Sequence, residues 1–208
     1  MRSLPRRLAL VLALVLSAVI VLPAAAGAPS DQLKSQIDRV LKTLDDPELK
    51  KEGRAKERRT AVRKIANDIF DFGETARRSL GRHWQPRTPA ERDEFVQLFS
   101  DLLERSYISK VELYGGEKIQ YMGDTIDEQT QAKVQTKLLT KSGSDIPIEY
   151  RMHKKGERWL VYDVIIEGVS LIANYRTQFN KIIQTSSYQE LVKKMKSKQE
   201  ELATGTPS

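Results

Sequence analysis

WLVYDVIIEGVSLIANYRTQF, residues 159–179, joins an apolar strand to an amphipathic helix through a sharp break at Glu167-Gly168. From Trp159 to Ile166 every residue except Asp163 is apolar or aromatic, so both faces of the strand meet something other than water. The helix that opens at Ser170 carries Leu171, Tyr175, Phe179, Ile182 and Ile183 at helical spacing, one greasy face folded back towards the sheet. Between strand and helix lies either a packed core or a cavity.

Immediately upstream, Ile146, Ile148, Tyr150 and Met152 alternate along a second strand, and Lys154-Lys155-Gly156 suits a three-residue hairpin with glycine in the left-handed position. That register sets Tyr150 opposite Leu160, Ile148 opposite Tyr162 and Ile146 opposite Val164, leaving one face wholly apolar. A two-residue loop would bring Asp163 onto that face. Further back, Lys118 to Met122, with Ile119 and Tyr121 on one side, and Ala132 to Thr140, with Val134 and Leu138 aligned, predict two more strands. Ser142-Gly143-Ser144 supplies the turn between the strand ending at Thr140 and the one starting at Ile146.

Before Gly115-Gly116 the period is helical. Leu33, Ile37, Val40, Leu41 and Leu44 predict a helix stopped by Asp45-Asp46-Pro47; Lys50 to Phe72 predicts another, with Val62, Ile65, Ala66, Ile69 and Phe70 on one face. Its basic cluster from Arg54 to Lys64 is interrupted by Glu57, which favours a solvated helix face over contact with anionic headgroups or an acidic partner. A short helix ends at Leu80, and Gly81 to Arg87 is a loop. Thr88-Pro89-Ala90-Glu91 is a capping box opening a helix with Phe95, Leu98, Phe99, Leu102 and Leu103 on one side, expected to fray at Tyr107 to Lys110. At the other end, the helix from Ser170 should stop near Gln184. Ser187 and Glu190 start a last helix, and Ala203 to Ser208 reads as a frayed tail. The fold class is α+β: a curved antiparallel sheet of about four strands packed against several helices.

Arg2, Arg6 and Arg7, the apolar run Leu8 to Leu22 and the small residues Ala24-Ala25-Ala26 follow the order of a secretory signal peptide cleaved near Ala26. The run is short for a span of about twenty residues. The expected organisation is therefore a leader over 1–26 and a single domain over 27–208. Within that domain, 27–114 is mainly helical, 115–167 forms the sheet, and 168–202 holds the C-terminal helices. The formal charge of +7 includes the three leader arginines, so the mature chain carries +4, too diffuse for a nucleic-acid binder. With no cysteine, neither a lipidated anchor nor a disulfide framework is available.

The supply of catalytic groups is thin. His83 and His153 are the two imidazoles; His153, at a hairpin end, is expected to face solvent, and no pair has metal-ligand spacing. Gly115, Gly116 and Gly168 lack any phosphate-loop context. Asp163 is the one candidate general acid or base, through a burial-raised pKa. The preferred reading turns it to the other sheet face, paired with a neighbour or a backbone amide.

Asp163-Val164, Glu167-Gly168-Val169-Ser170-Leu171, Asn174-Tyr175-Arg176 and Gln178-Phe179 resemble the signature of the MlaC family, the periplasmic phospholipid-binding proteins also called toluene-tolerance proteins. The resemblance extends upstream through Phe70-Asp71-Phe72, Leu102 to Tyr107 and Tyr114-Gly115-Gly116-Glu117. It implies an NTF2-like sheet-and-helix cone with an added helical subdomain, and an unfilled cavity for the acyl chains of a phospholipid. The lining expected on that basis is Ile148, Tyr150, Leu160, Tyr162 and Val164 from the sheet, Ile69, Phe72, Phe99 and Leu102 from the middle helices, and Leu171, Tyr175 and Phe179 from the C-terminal side. Arg176 is expected to contact a headgroup or a partner. The implied partners are the inner-membrane MCE-domain protein of an ABC transporter and an outer-membrane lipoprotein complex. The implied carrier is a periplasmic monomer with no cofactor and no enzymatic activity. The alternatives are an NTF2-like isomerase or hydrolase using Asp163, and a periplasmic adaptor with a filled core.

Overall fold

A computed structural model describes residues 28–141 and 143–204, the side chains of 108–110 and 202–204 excepted. The leader over 1–26, Ser142 of the expected turn and the last residues of the tail lie outside the described residues. In chain order the elements are α1 (Pro29–Asp45), α2 (Ala55–Ile69), α3 (Phe72–Leu80), one 3-10 turn (Gly81–His83), α4 (Pro89–Glu112), β1 (Lys118–Asp127), β2 (Gln131–Leu139), β3 (Asp145–Lys155), β4 (Arg158–Ile166), β5 (Val169–Ser170), α5 (Leu171–Thr185) and α6 (Tyr188–Thr204). The strands form one antiparallel sheet in the order β1-β2-β3-β4-β5. The α+β class stands. The fifth strand is a two-residue return made by Val169 and Ser170, and β1 runs five residues past Met122 to Asp127.

The helix starts follow local chemistry. The amide of Thr88 donates to the Glu91 carboxylate at 2.8 Å and the Glu91 amide to the Thr88 hydroxyl at 3.2 Å, both halves of the capping box. Ser170 accepts from the Ala173 amide, and Ser187 from the Glu190 amide, each at 3.0 Å. α4 does not fray at Tyr107; it continues helical to Glu112. That end is held by charge: Glu112 receives Arg58 and Arg59 from α2, and Glu104 receives Arg63. Much of the α2 basic cluster is thus tied to acidic residues of α4.

The β3–β4 hairpin has a two-residue loop, Gly156-Glu157, with Lys155 opposite Arg158. Gly156 sits at φ 62, the left-handed first position that a type II′ turn requires. This corrects the three-residue register. From the turn, Met152 faces Val161; the pairing then slips by one, so that Arg151 faces Asp163, Tyr150 faces Val164 and Ile148 faces Ile166. Tyr162 is the extra residue of a β-bulge, which leaves its backbone outside the ladder. The Thr75 hydroxyl of α3 donates to the Tyr162 carbonyl at 3.0 Å, and the Asp71 amide donates to the Val161 carbonyl at 2.9 Å. The bulge is thus where the α2–α3 junction is stitched to the sheet.

Candidate functional site

Strand alternation and the bulge together put Trp159, Val161, Val164 and Ile166 of β4 on one face with Met152, Tyr150, Ile148 and Ile146 of β3, Ala132, Val134, Thr136 and Leu138 of β2, and Ile119 and Tyr121 of β1. This face divides in two. Towards the β3–β4 turn, α1 and α2 seal it: Ala132, Val134, Met152, Trp159 and Val161 are buried with Leu33, Ile65 and Ile69 in one cluster. Towards the other end no described element seals it completely. Ile119, Leu138, Ile146, Ile148, Tyr150, Val164 and Ile166 are all only half-buried.

A second core forms away from the sheet. Ala76 and Leu80 of α3, Phe95, Leu98 and Phe99 of α4, Phe179 of α5, and Tyr188, Leu191, Val192 and Met195 of α6 pack as a separate cluster. Aromatic edges lock it: Phe99 meets Tyr175 at 5.0 Å and Phe179 at 5.2 Å between ring centroids. At its margin Leu102, Leu103, Tyr175, Ile182 and Ile183 are half-buried. Past them Val111 and Leu113 are exposed, Leu113 to 81%. Two separate cores therefore leave apolar surface over, on the open end of the sheet face and on the α4 and α5 margins. That incompletely covered surface, at the rims of the two cores, is the candidate site.

Its polar groups are phenols. Burial raises the Tyr150 hydroxyl to about 12, against a hydrogen bond with Thr136 that lowers it. The Tyr121 hydroxyl is also pushed up, by burial first and then by the neighbouring Tyr150 and Asp38, and it is buried with no hydrogen-bond partner among the described residues. Tyr175 is raised to about 12 by burial and by Tyr107 beside it. At neutral pH all three are uncharged, so this surface presents carbon and neutral hydroxyls.

The expected lining residues divide into groups. Ile148, Tyr150 and Val164 lie on the open apolar face, and Leu102 and Tyr175 on the margin of the helical core. Leu171, at the start of α5, is half-buried, as is Phe72, whose ring packs 5.7 Å from Phe70. Ile69, Phe99 and Phe179 are buried within the two clusters. Leu160 and Tyr162 lie on the opposite face of the sheet, because the pairing differs from the expected register. Leu160 pairs with His153, and the Tyr162 ring lies under the Arg78 guanidinium at 3.9 Å. Sequence reasoning missed Trp159 and Val161, which the two-residue loop sets on this face, and Ile166, which the bulge at Tyr162 keeps there.

Asp163 is turned off the apolar face and buried. It accepts from the Ser170 hydroxyl at 2.7 Å and the Ile172 amide at 3.1 Å, with Arg151 at 3.7 Å. It brackets the start of α5. His153 is half-buried, not free in solvent: it meets Asp71 at 3.2 Å and the edge of Tyr162. Arg176 is exposed on α5, with its aliphatic stem beside Gly81. Among the described residues no group of three or more metal-binding side chains is assembled, and no helix is long and apolar enough to cross a membrane.

Comparison with known proteins agrees with this arrangement. The chain is similar to the intermembrane phospholipid transport system binding protein MlaC of Haemophilus influenzae, 22% identical over 141 residues, a stretch just under two thirds of each chain at 66%. It is also similar to the toluene tolerance protein ttg2D of Pseudomonas putida, 24% identical over 185 residues that cover 88% of this chain and 85% of that one. Among solved structures, the phospholipid-binding protein of Ralstonia solanacearum in complex with a phospholipid superposes with a TM-score of 0.75 at 25% identity, over 85% of this chain and 99% of that one. The profile of the MlaC protein family matches residues 34–197, most of the chain, and the protein belongs to that family.

Proposed function

We propose that this protein is a periplasmic phospholipid carrier, a single domain over 27–208 exported by the leader over 1–26. It holds acyl chains against the open apolar face of the sheet. It passes the lipid between an outer-membrane lipoprotein complex and the inner-membrane MCE-domain protein of an ABC transporter. The supporting observation is the pair of separate cores. Half-buried apolar positions on β2, β3 and β4 and on the α4 and α5 margins rim these cores, several of them packed against one core and none fully enclosed. The similar fold of the Ralstonia solanacearum protein was solved with a phospholipid bound.

The energetics fit such a task. A diacyl phospholipid has about thirty methylenes at ~0.8 kcal/mol each, so escape into water costs about 24 kcal/mol. An apolar cleft that replaces the bilayer offsets most of this. The tails need roughly 800 Å³, within the usual range for ligand cavities. Room comes from parting two cores along their seam, which leaves each core packed. The chain brings no nucleotide motif, so energy for transfer belongs to the transporter.

Native mass spectrometry of the protein purified from periplasm tests this. The expected result is a mass excess that dissolves into diacyl phospholipid on denaturation, and that is lost from Ile148→Arg and Val164→Arg variants with unchanged circular dichroism. A bare polypeptide mass that stays bare after incubation with liposomes would overturn the carrier reading. Wild-type lipid content in a folded Ile148→Arg protein would move the tails off this face.

A further inference from the structure

On the sheet face opposite Tyr150 and Val164, between α3, the 3-10 turn and the start of α5, lies a cleft of about 590 Å³. Its charged lining is four arginines, Arg77, Arg78, Arg151 and Arg176, against one carboxylate, Asp163. Asp163 is already engaged by Ser170 and the Ile172 amide. Arg77 and Arg78 share a single carboxylate, Glu74, with contacts of 2.6 to 2.7 Å. Arg151 meets Glu149 at 3.2 Å and stands 3.7 Å from Asp163. Arg176 has neither an ion pair nor a side-chain hydrogen bond among the described residues. The cleft therefore holds more guanidinium charge than the fold neutralises.

The guanidinium groups are held in place. Arg78 stacks on Tyr162, and the Arg176 stem lies beside Gly81, where φ of +57 and the 3.2 Å that would separate a Cβ from the stem both favour glycine. Arginine at all four positions, with no lysine, suits paired recognition of planar carboxylates. A space of this size exceeds a single small anion and accommodates a few residues of extended chain.

We infer that this cleft is a docking site for an acidic segment of a protein partner, which offers Asp or Glu carboxylates to Arg176, Arg77 and Arg151. This deepens the carrier reading, on which it rests for the partner's role as donor or acceptor of lipid. It places the docking contact on the far side of the sheet from the tails, so a docked partner leaves the lipid face free.

The test uses the full mature chain and a fluorescein-labelled hexaglutamate peptide, read by fluorescence polarisation at low and at moderate salt. The expected result is saturable binding that weakens at least tenfold in Arg176→Gln/Arg77→Gln and is unchanged in Lys181→Gln/Lys193→Gln, two lysines outside the cleft. Equal binding by both double variants would reduce the effect to net charge and overturn the proposal. So would displacement of the peptide by an equal concentration of inorganic phosphate, which would mark a simple anion site. Sedimentation with anionic vesicles, lost in Arg176→Gln/Arg77→Gln, would overturn it in favour of a membrane contact. Lipid content of the same variants separates the two readings. Peptide binding lost with copurified lipid retained supports the cleft, while peptide binding to a wild-type chain that never carries lipid refutes the carrier and leaves the docking site standing.

Discussion

Asp163→Ala is the sharpest probe of how the strand-to-helix junction is built. The Asp163 carboxylate is 4% exposed and accepts two short hydrogen bonds, from the Ser170 hydroxyl at 2.7 Å and the Ile172 amide at 3.1 Å. A hydrogen bond to a charged group contributes about 1.5–3 kcal/mol. Ser170 keeps its contact with the Ala173 amide, whereas the buried Ile172 amide is left without an acceptor. The Arg151 side chain, 3.7 Å away and 42% exposed, adds no more than about 1 kcal/mol. The expected loss is about 3–5 kcal/mol, measured by urea denaturation with an unchanged slope. Asp163→Asn retains an oxygen for the Ile172 amide and should lose about 1–2 kcal/mol. Asp163→Asn purified without denaturation should also carry lipid, because the carboxylate lies off the apolar face. A cost below about 1 kcal/mol for Asp163→Ala would refute the bracket role.

Three further predictions concern one ionisation and two tyrosine hydroxyls. Glu74, hydrogen-bonded to Arg77 and then Arg78, has its pKa lowered from 4.5 to about 2. A lowered carboxylate stabilises the fold fully above its unfolded value and loses that contribution as pH falls through the folded one. Stability should therefore drop between about pH 4.5 and 2 by about 1–2 kcal/mol from this group, and Glu74→Gln should flatten that part of a urea-midpoint pH profile. An equally steep acid limb in the variant would exclude Glu74 as its source. Tyr121→Phe removes a buried hydroxyl that has no partner among the described residues and should be neutral or stabilising by up to about 1 kcal/mol. Tyr188→Phe, which loses the bond from its hydroxyl to the Glu91 carbonyl at 3.0 Å, should cost about 1 kcal/mol by the same urea denaturation. The opposite order would contradict both assignments.

The helices were largely legible because their signals are local. Thr88 and Glu91, Ser170, and Ser187 with Glu190 fix their starts through contacts three residues long. The end of α4 was not legible at Tyr107, because what extends it is a set of ion pairs to α2, between residues far apart in sequence. The Arg77, Arg78, Arg151 and Arg176 cleft was hidden for the same reason. Three separate elements supply it, and only Arg176 drew notice beforehand, through its place in Asn-Tyr-Arg.

The strand register shows where periodicity runs out. β4 is apolar or aromatic at every position from Trp159 to Ile166 but one, so an alternation of two carries almost no information along it. Only Asp163 discriminates. The two-residue loop was set aside because, in an unbroken ladder, it puts Asp163 opposite Tyr150 on the apolar face. The premise about Asp163 was right and the inference to the loop was not. One extra residue at Tyr162 satisfies both demands, keeping the tight turn at Gly156-Glu157 while moving Asp163 to the face where Ser170 and the Ile172 amide await it. The bulge can be tolerated because Thr75 and Asp71 take up the backbone groups around it. It follows that the apolar face, the bracket of α5 and the docking of α3 are one constraint. A change that removed the bulge would turn Val164 and Ile166 off the apolar face and bring Asp163 onto it.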